Sequence, residues 1–179
     1  MTSLSPTALK LAELRNAFDE TYAIPAVSQA AEPMENLLSI RVAGDHYAIK
    51  ISEISGLVTN RKAVALPSPV PELLGVAGIR GGLVPVYSLA VLLGYSQDTG
   101  RARWFALCGS EEPLALAFSD FEGYLRVPVS QVYAAEQKDV ARAHLKHVLC
   151  AAGVVRAVVS IPDLVEMIKR RCGSVSKER

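Results

Sequence analysis

The residues that could do chemistry are few and scattered along the chain. His144, His147 and Cys150 recur at a spacing of three, which spreads side chains around a helix, and a fourth zinc ligand is not evident. The carboxylates of Glu111-Glu112 and Asp120-Glu122 fall in predicted turns. We therefore expect surface histidines beside a buried cysteine, solvated loop carboxylates, and no metal site.

The glycine-rich segment 75–82 has the composition of a phosphate-binding loop. Its glycines lack the Gly-x-Gly-x-x-Gly spacing, and a strand-like segment follows where such a loop needs a helix N-terminus. Gly81 and Gly82 are better explained as a hairpin turn, which needs positive φ. The sequence motifs of serine hydrolases, zinc proteases and nucleotide-binding loops are absent. The sequence thus predicts a protein that is not an enzyme, with no catalytic residue and no cofactor.

Arg80 is the charged residue in the most informative setting. It ends the apolar run 76–79 and precedes the Gly81-Gly82 turn, so its side chain should point outwards. A planar guanidinium framed by apolar residues suits an interface, because it makes directed bonds. An ordinary solvated arginine explains the same residues equally well, and the sequence alone leaves both alternatives open.

The composition restricts the class of protein. Lys and Arg number 19 against 18 Asp and Glu, so the net charge of +1 provides no field to hold a polyanion. No stretch approaches the ~20 apolar residues of a membrane span, and no signal peptide is recognisable. Three cysteines without a C-x-x-C pair fit reduced thiols, with Cys108 and Cys150 in the core. We expect a cytoplasmic globular protein that neither binds nucleic acid nor inserts into a membrane.

From residue 36 onwards the sequence shows a rhythm of short strands. The segment 38–42 alternates apolar and polar residues, and Gly44-Asp45 predicts a tight turn. Further strands are predicted at 46–51, 57–59, 76–80, 83–87, 103–108, 113–118, 124–127, 148–152 and 154–159. Short helices are predicted at 72–74, at 89–93 with Ser88 as N-cap, near 134–144, and at 163–171. Many short strands between loops rich in Pro and Gly favour small closed barrels.

The predicted fold is all-β, with two five-stranded barrels that share a core. The first barrel spans about 36–94, the second about 103–160, a helix over 161–171 closes the domain, and a flexible tail follows over 172–179. Residues 1–35 form an extension, in which four apolar residues recur at helical spacing: Leu11, Leu14, Phe18 and Tyr22. This stripe either packs on the barrels or serves as an arm for a partner.

The segment Leu74 to Leu89 resembles the signature of CheW-like domains, roughly G-V-x-N-L-R-G-x-x-I-P-V-x-D-L before a short Leu-rich helix. Residues 42–49 are similar to the family's opening hairpin, and residues 158–164 to its closing strand and helix. The resemblance covers about 36–171. It implies two interlocked SH3-like five-stranded barrels, in agreement with the strand pattern.

The resemblance also implies a function. Family members are non-catalytic adaptors that couple the cytoplasmic tips of chemoreceptors (methyl-accepting chemotaxis proteins) to the regulatory domain of a CheA-type histidine kinase, at arrays beneath the inner membrane. The residues Gly75, Arg80, Gly81 and Pro85 match the signature, in a region that the family uses for such contacts. The predicted partner-binding residues are Leu57, Gly75, Arg80, Gly81, Gly82, Val84 and Pro85.

Four departures from the family pattern bear on the choice of partner. Gly56 stands where many members carry an acidic residue, Gly78 replaces Asn, Ser88 replaces Asp, and Ala90 replaces a frequent Arg. Because charge alters specificity more readily than apolar contact does, these changes favour a specialised adaptor in a non-flagellar chemosensory system.

Two alternatives come from other classes of protein. A small barrel that binds nucleic acid needs a basic, aromatic face, whereas aromatic residues make up 6% of this chain. An enzyme would show a polar cleft with a strongly shifted titratable group.

Overall fold

The computed structural model describes residues 32–59, 61–96, 102–109, 112–135 and 144–175. These residues form eleven short strands, two α-helices and two single-turn 3₁₀ helices, Ile51–Glu53 and Val129–Gln131. The strands are β1 (Met34–Val42), β2 (Asp45–Lys50), β3 (Gly56–Thr59), β4 (Leu73–Ile79), β5 (Gly82–Ser88), β6 (Trp104–Cys108), β7 (Leu114–Phe118), β8 (Asp120–Pro128), β9 (Val132–Ala134), β10 (Leu145–Ala151) and β11 (Val154–Val159). The helices are α1 (Leu89–Leu92) and α2 (Ile161–Val175). The predicted all-β class is confirmed.

The strands form two sheets, which do not divide the chain in the way the predicted barrels do. A six-stranded sheet, here the terminal sheet, has the order β8-β1-β2-β11-β10-β9. The central sheet has five strands in the order β3-β6-β7-β5-β4. The hairpin β1–β2 thus leaves the expected first barrel and pairs in parallel with β11. A pairing between strands so distant in sequence depends on tertiary packing, which local patterns do not specify.

Strand alternation divides the buried side chains among three clusters. In β6, Phe105 and Leu107 belong to a core of the central sheet alone, while Ala106 and Cys108 belong to a core that both sheets share. This shared core includes Ile40 and Ile49 from the terminal sheet, Leu116 and Phe118 from the central sheet, and Leu89 and Leu164 from the helices. The third cluster lies within the terminal sheet, around Leu37 and Leu149. Two barrel-like halves with a common core result, as predicted.

Three hairpins turn on the same kind of residue pair. Ala43-Gly44, Arg80-Gly81 and Ala152-Gly153 all have positive φ at both positions, close to +51° at the non-glycine residue. Two central residues with positive φ are typical of a type I′ turn, whose twist matches that of paired strands. The predicted turns at Gly44-Asp45 and Gly81-Gly82 were therefore one residue late, and Gly82 is the first residue of β5, paired with Ile79.

The bounds of the helices agree with the prediction only in part. Ser88 caps α1 as expected, since its Oγ accepts a hydrogen bond from the Val91 N–H at 3.3 Å. The predicted helical turn at 72–74 is instead a turn at residue 72 and the first two residues of β4. Helix α2 begins at residue 161, as predicted for the closing helix, and continues past the predicted end at 171. Its first N–H, from Ile161, is satisfied by Glu53 Oε2 at 2.8 Å, a contact between distant residues.

Two predicted segments lie wholly or mostly outside the described residues. Residues 1–31, which carry the predicted N-terminal helix, and residues 136–143, which cover most of the helix expected near 134–144, are among them. The first residue of the helix expected near 134–144, Ala134, is instead the last residue of strand β9. Strand β1 already begins at Met34, so the barrel starts two residues before the predicted boundary.

A polar cluster around Glu122 joins β8 to three other strands. The Glu122 carboxylate accepts hydrogen bonds from Ser39 Oγ at 2.8 Å and from Arg41 Nη2 at 3.0 Å, and lies 2.9 Å from His46 Nδ1. The buried Arg156 donates from Nε to Ser39 Oγ at 2.8 Å. Partial burial opposes ionisation of Glu122, but the bonds from Ser39, His46 and Arg41 outweigh it and hold its pKa below the usual range. The predicted loop placement was wrong here, because β8 includes residue 122, although the residue is exposed as predicted.

We predict that Glu122→Gln destabilises the fold at neutral pH by roughly 1 to 2 kcal/mol, since it weakens hydrogen bonds to a charged acceptor. Because the folded pKa is lowered, this stabilisation is present above the unfolded pKa, near 4.5, and is lost as pH falls through the folded value. Urea unfolding at several pH values measures both effects. Glu112→Gln is the control, because that carboxylate is exposed and should change the stability little. Equal losses in the two variants would contradict the prediction.

Candidate partner-binding surface

The outer side of the β4–β5 hairpin is apolar and exposed. Alternation turns Ile79 and Val84 into the core of the central sheet, so their neighbours face outwards. The exposed or half-buried apolar residues here, which we call the hairpin face, are Val64, Leu66, Leu74, Val76, Leu83 and Pro85. Leu83 is 78% exposed, although it is a large aliphatic residue within a strand. Exposed apolar residues grouped on one hairpin in this way are typical of a protein-binding site.

Gly75 leaves room for the loop around Val64, which completes the hairpin face. Val64 pairs with Val76 through two backbone hydrogen bonds of 2.7 and 2.9 Å, along the outer edge of β4. A β-carbon on Gly75 would lie 1.9 Å from the Val64 carbonyl oxygen, and its φ is +136°. Gly75 is buried, so we assign it a structural role beneath the loop, in place of the predicted direct contact with a partner.

Arg80 stands at the tip of the hairpin with its guanidinium laid across the sheet. Its Nη2 is 2.9 Å from the point where a β-carbon of Gly56 would stand, so the absence of a side chain at Gly56 leaves it room. Gly56 begins β3, at the opposite edge of the central sheet from β4, so the sheet curls enough for the Arg80 side chain to reach that edge. No described residue forms a hydrogen bond or an ion pair with Arg80 that would occupy its donors. The guanidinium is therefore available to an incoming acceptor.

The left-handed φ of Arg80 predicts that function and stability conflict at this turn. A non-glycine residue in that region costs about 1 kcal/mol, and Asn-Gly is the preferred type I′ pair. We expect Arg80→Asn to raise the free energy of unfolding by about 0.5 to 1 kcal/mol while it weakens partner binding. Ala43→Asn and Ala152→Asn occupy the matching turns and should stabilise similarly without affecting binding. Thermal unfolding and titration calorimetry on the three variants test this, and a clear loss of stability in Arg80→Asn would show that the arginine is structural.

The structure brings together only part of the predicted partner-binding set. Gly81 and Gly82 are exposed beside Arg80, and Pro85 is half-buried on the hairpin face. Val84 is 5% exposed within the core of the central sheet, so its predicted contact with a partner is not supported. Leu57 is half-buried and packs against the shared core.

Strand alternation in the sequence could have identified exposed residues that the predicted partner-binding set omits. In β5, exposure falls on Leu83 and Pro85 while Val84 and Val86 are buried, a period of two that the apolar run 83–86 conceals. The direction of the alternation follows once one residue of the strand is known to be buried. Leu83 is the largest omission from the predicted surface.

The histidines and cysteines show a different burial from the expected one. His144 is 4% exposed and Cys150 is exposed, the reverse of the predicted surface histidine and buried cysteine. Cys108 is buried as expected, and burial raises the pKa of its thiol to about 12. Within the described ranges no three His, Cys, Asp or Glu side chains are grouped to hold a metal ion. Over the same ranges no helix is long and apolar enough to cross a membrane.

Comparisons with known proteins agree with this architecture. A search of curated proteins found no match. Among solved structures, the fold is similar to the crystal structure of the scaffolding protein TtCheW from Thermoanaerobacter tengcongensis, with a TM-score of 0.66 and 11% sequence identity. That alignment covers 74% of this chain and 92% of the TtCheW chain, and at this identity it shows the fold. The CheW-like domain profile matches residues 36–171, from β1 into α2. Because this match spans most of the chain, the protein belongs to the CheW-like domain family.

Proposed function

We propose that this protein is a non-catalytic cytoplasmic adaptor that couples chemoreceptors to a CheA-type histidine kinase. The hairpin face carries the proposal: Leu83 is 78% exposed beside an arginine that has no acceptor among the described residues. Interfaces commonly combine an apolar centre with an arginine that makes directed bonds. The kinase regulatory domain docks on this face, and the receptor tip contacts the same half of the molecule.

The departures from the family signature support a specialised set of partners. Gly56 lies directly under Arg80, so the acidic residue that many members carry there would face the guanidinium. In this chain the partner supplies the acceptor instead. We propose that the protein serves a chemosensory system other than the flagellar one, such as a system for pili or surface motility.

Titration calorimetry with the regulatory domain of the cognate kinase tests the proposal. We expect Leu83→Asp to weaken binding by at least about tenfold, because a buried carboxylate at the centre of an apolar interface lacks a partner. Val155→Asp is the matched control, since Val155 is 64% exposed on the terminal sheet. Two outcomes contradict the proposal: no binding of the unmodified protein at high micromolar concentration, or an equal loss in the control.

A further inference from the structure

A second surface of the central sheet has a different chemical character. A cleft of about 830 Å³ is lined by Arg61, Lys62 and Arg103, with Leu74 and Phe105 among its apolar contacts. We call it the basic cleft. The three cationic side chains are exposed, whereas Phe105 is 3% exposed and belongs to the core of the central sheet. The basic cleft therefore combines three exposed cationic side chains with a buried apolar one.

The backbone on one side of the basic cleft is held by the sheet. Thr59, the last residue of β3, donates from Oγ1 to the Arg103 carbonyl at 3.2 Å. The Arg103 N–H in turn donates to the Phe118 carbonyl at 3.1 Å. The chain from which Arg103 projects is thus fixed before any ligand arrives, which lowers the entropic cost of binding.

The basic cleft differs in one respect from the polar cluster around Glu122, which also contains cationic side chains. Around Glu122, the cationic side chains Arg41 and Arg156 share a carboxylate that the chain itself supplies. Among the described residues, no acidic side chain lines the basic cleft, and none of its three cations forms an ion pair. Grouped like charges repel one another, so an acceptor supplied from outside would relieve this repulsion.

We propose that the basic cleft binds an acidic segment of a partner protein, a Glu or Asp side chain followed by an apolar residue. The carboxylate bridges the basic side chains, and the apolar residue packs on Leu74, which is 38% exposed. A nucleic acid would need exposed aromatic residues for base stacking, but Phe105 is buried. The basic cleft adjoins the hairpin face at Leu74, but it does not include Arg80 or Leu83, on which the adaptor role relies.

The probe is the peptide acetyl-Glu-Glu-Leu-Glu-Glu-amide, titrated into the full chain and followed by NMR of the arginine side chains and backbone amides. We expect shifts at Arg61, Arg103 and Leu74, and binding that weakens as salt increases. The triple variant Arg61→Gln/Lys62→Gln/Arg103→Gln should weaken binding by roughly tenfold. The charge-matched control is Arg126→Gln/Lys169→Gln/Arg170→Gln, which removes three exposed cations elsewhere and should retain the affinity.

Three results would overturn the proposal: an equal loss in the control variant, equal binding of the peptide with Gln in place of every Glu, or tighter binding of ATP or a thymidine oligonucleotide in the basic cleft. Leu83→Asp and Arg80→Ala should leave peptide binding unchanged. A failure of the peptide experiment therefore leaves the kinase titration unaffected, and the two proposals can fail separately.

Discussion

Gly75→Ala is expected to destabilise the protein by roughly 3 kcal/mol or more. The new β-carbon would stand 1.9 Å from the Val64 carbonyl oxygen and 2.9 Å from Ala65 Cα, both backbone atoms that no side-chain rotation can move away. The φ of +136° adds backbone strain to this overlap. Urea unfolding followed by circular dichroism gives the free energy of unfolding.

Two other glycines of the same hairpin separate the two causes of this loss. Gly81 also has positive φ, +82°, but a β-carbon there would meet nothing within 4 Å, so Gly81→Ala should cost about 1 kcal/mol. Gly78 has neither problem, and Gly78→Ala should be close to neutral. If Gly75→Ala costs no more than Gly81→Ala, the loop at Val64 moves freely and does not need a glycine beneath it.

Arg171→Ala should destabilise the protein by roughly 2 kcal/mol or more, a large effect for an exposed residue. Its partner Glu72 is 2% exposed, and Arg171 Nη1 contacts Glu72 Oε1. Removal of the guanidinium leaves a buried carboxylate without its compensating charge, and the contact between α2 and the turn before β4 is lost. Thermal and urea unfolding measure the loss.

A second variant tests whether the loss of stability comes from an uncompensated buried charge or from lost packing. In the double variant Glu72→Gln/Arg171→Ala the buried group is neutral, so we expect much of the lost stability to return. Arg170→Ala is the surface control, because Arg170 pairs with Glu166 and both side chains are more than half exposed. That pair should contribute no more than ~0.5 kcal/mol. A double variant as unstable as Arg171→Ala would point to lost packing instead.

Local features of the fold follow from short stretches of sequence. The cap at Ser88 and the glycine-bearing hairpins each depend on residues that lie a few positions apart. The family signature around Arg80 can also be recognised from the sequence, because a turn and its two strands form one local unit. For such features, backbone sterics and side-chain period act within a single element.

Features that depend on distant residues needed the tertiary structure. The parallel pairing of β2 with β11 places the β1–β2 hairpin in the terminal sheet. The close approach of the loop at Val64 explains why residue 75 must be glycine. Glu122 joins its cluster only because β1 and β8 are neighbours.

By itself, the sequence determined the all-β class, the hairpins and the membership of a family, because periodicity and turn chemistry are local properties of the chain. The tertiary structure decided which predicted residues are accessible: Leu83 lies on the surface and Val84 does not. It also decided that Arg80 adopts a left-handed φ over Gly56 with no acceptor among the described residues. Accessibility and side-chain contacts of this kind depend on residues that are distant in sequence. The order of residues in one strand does not reveal which side chains from other strands will lie beside it.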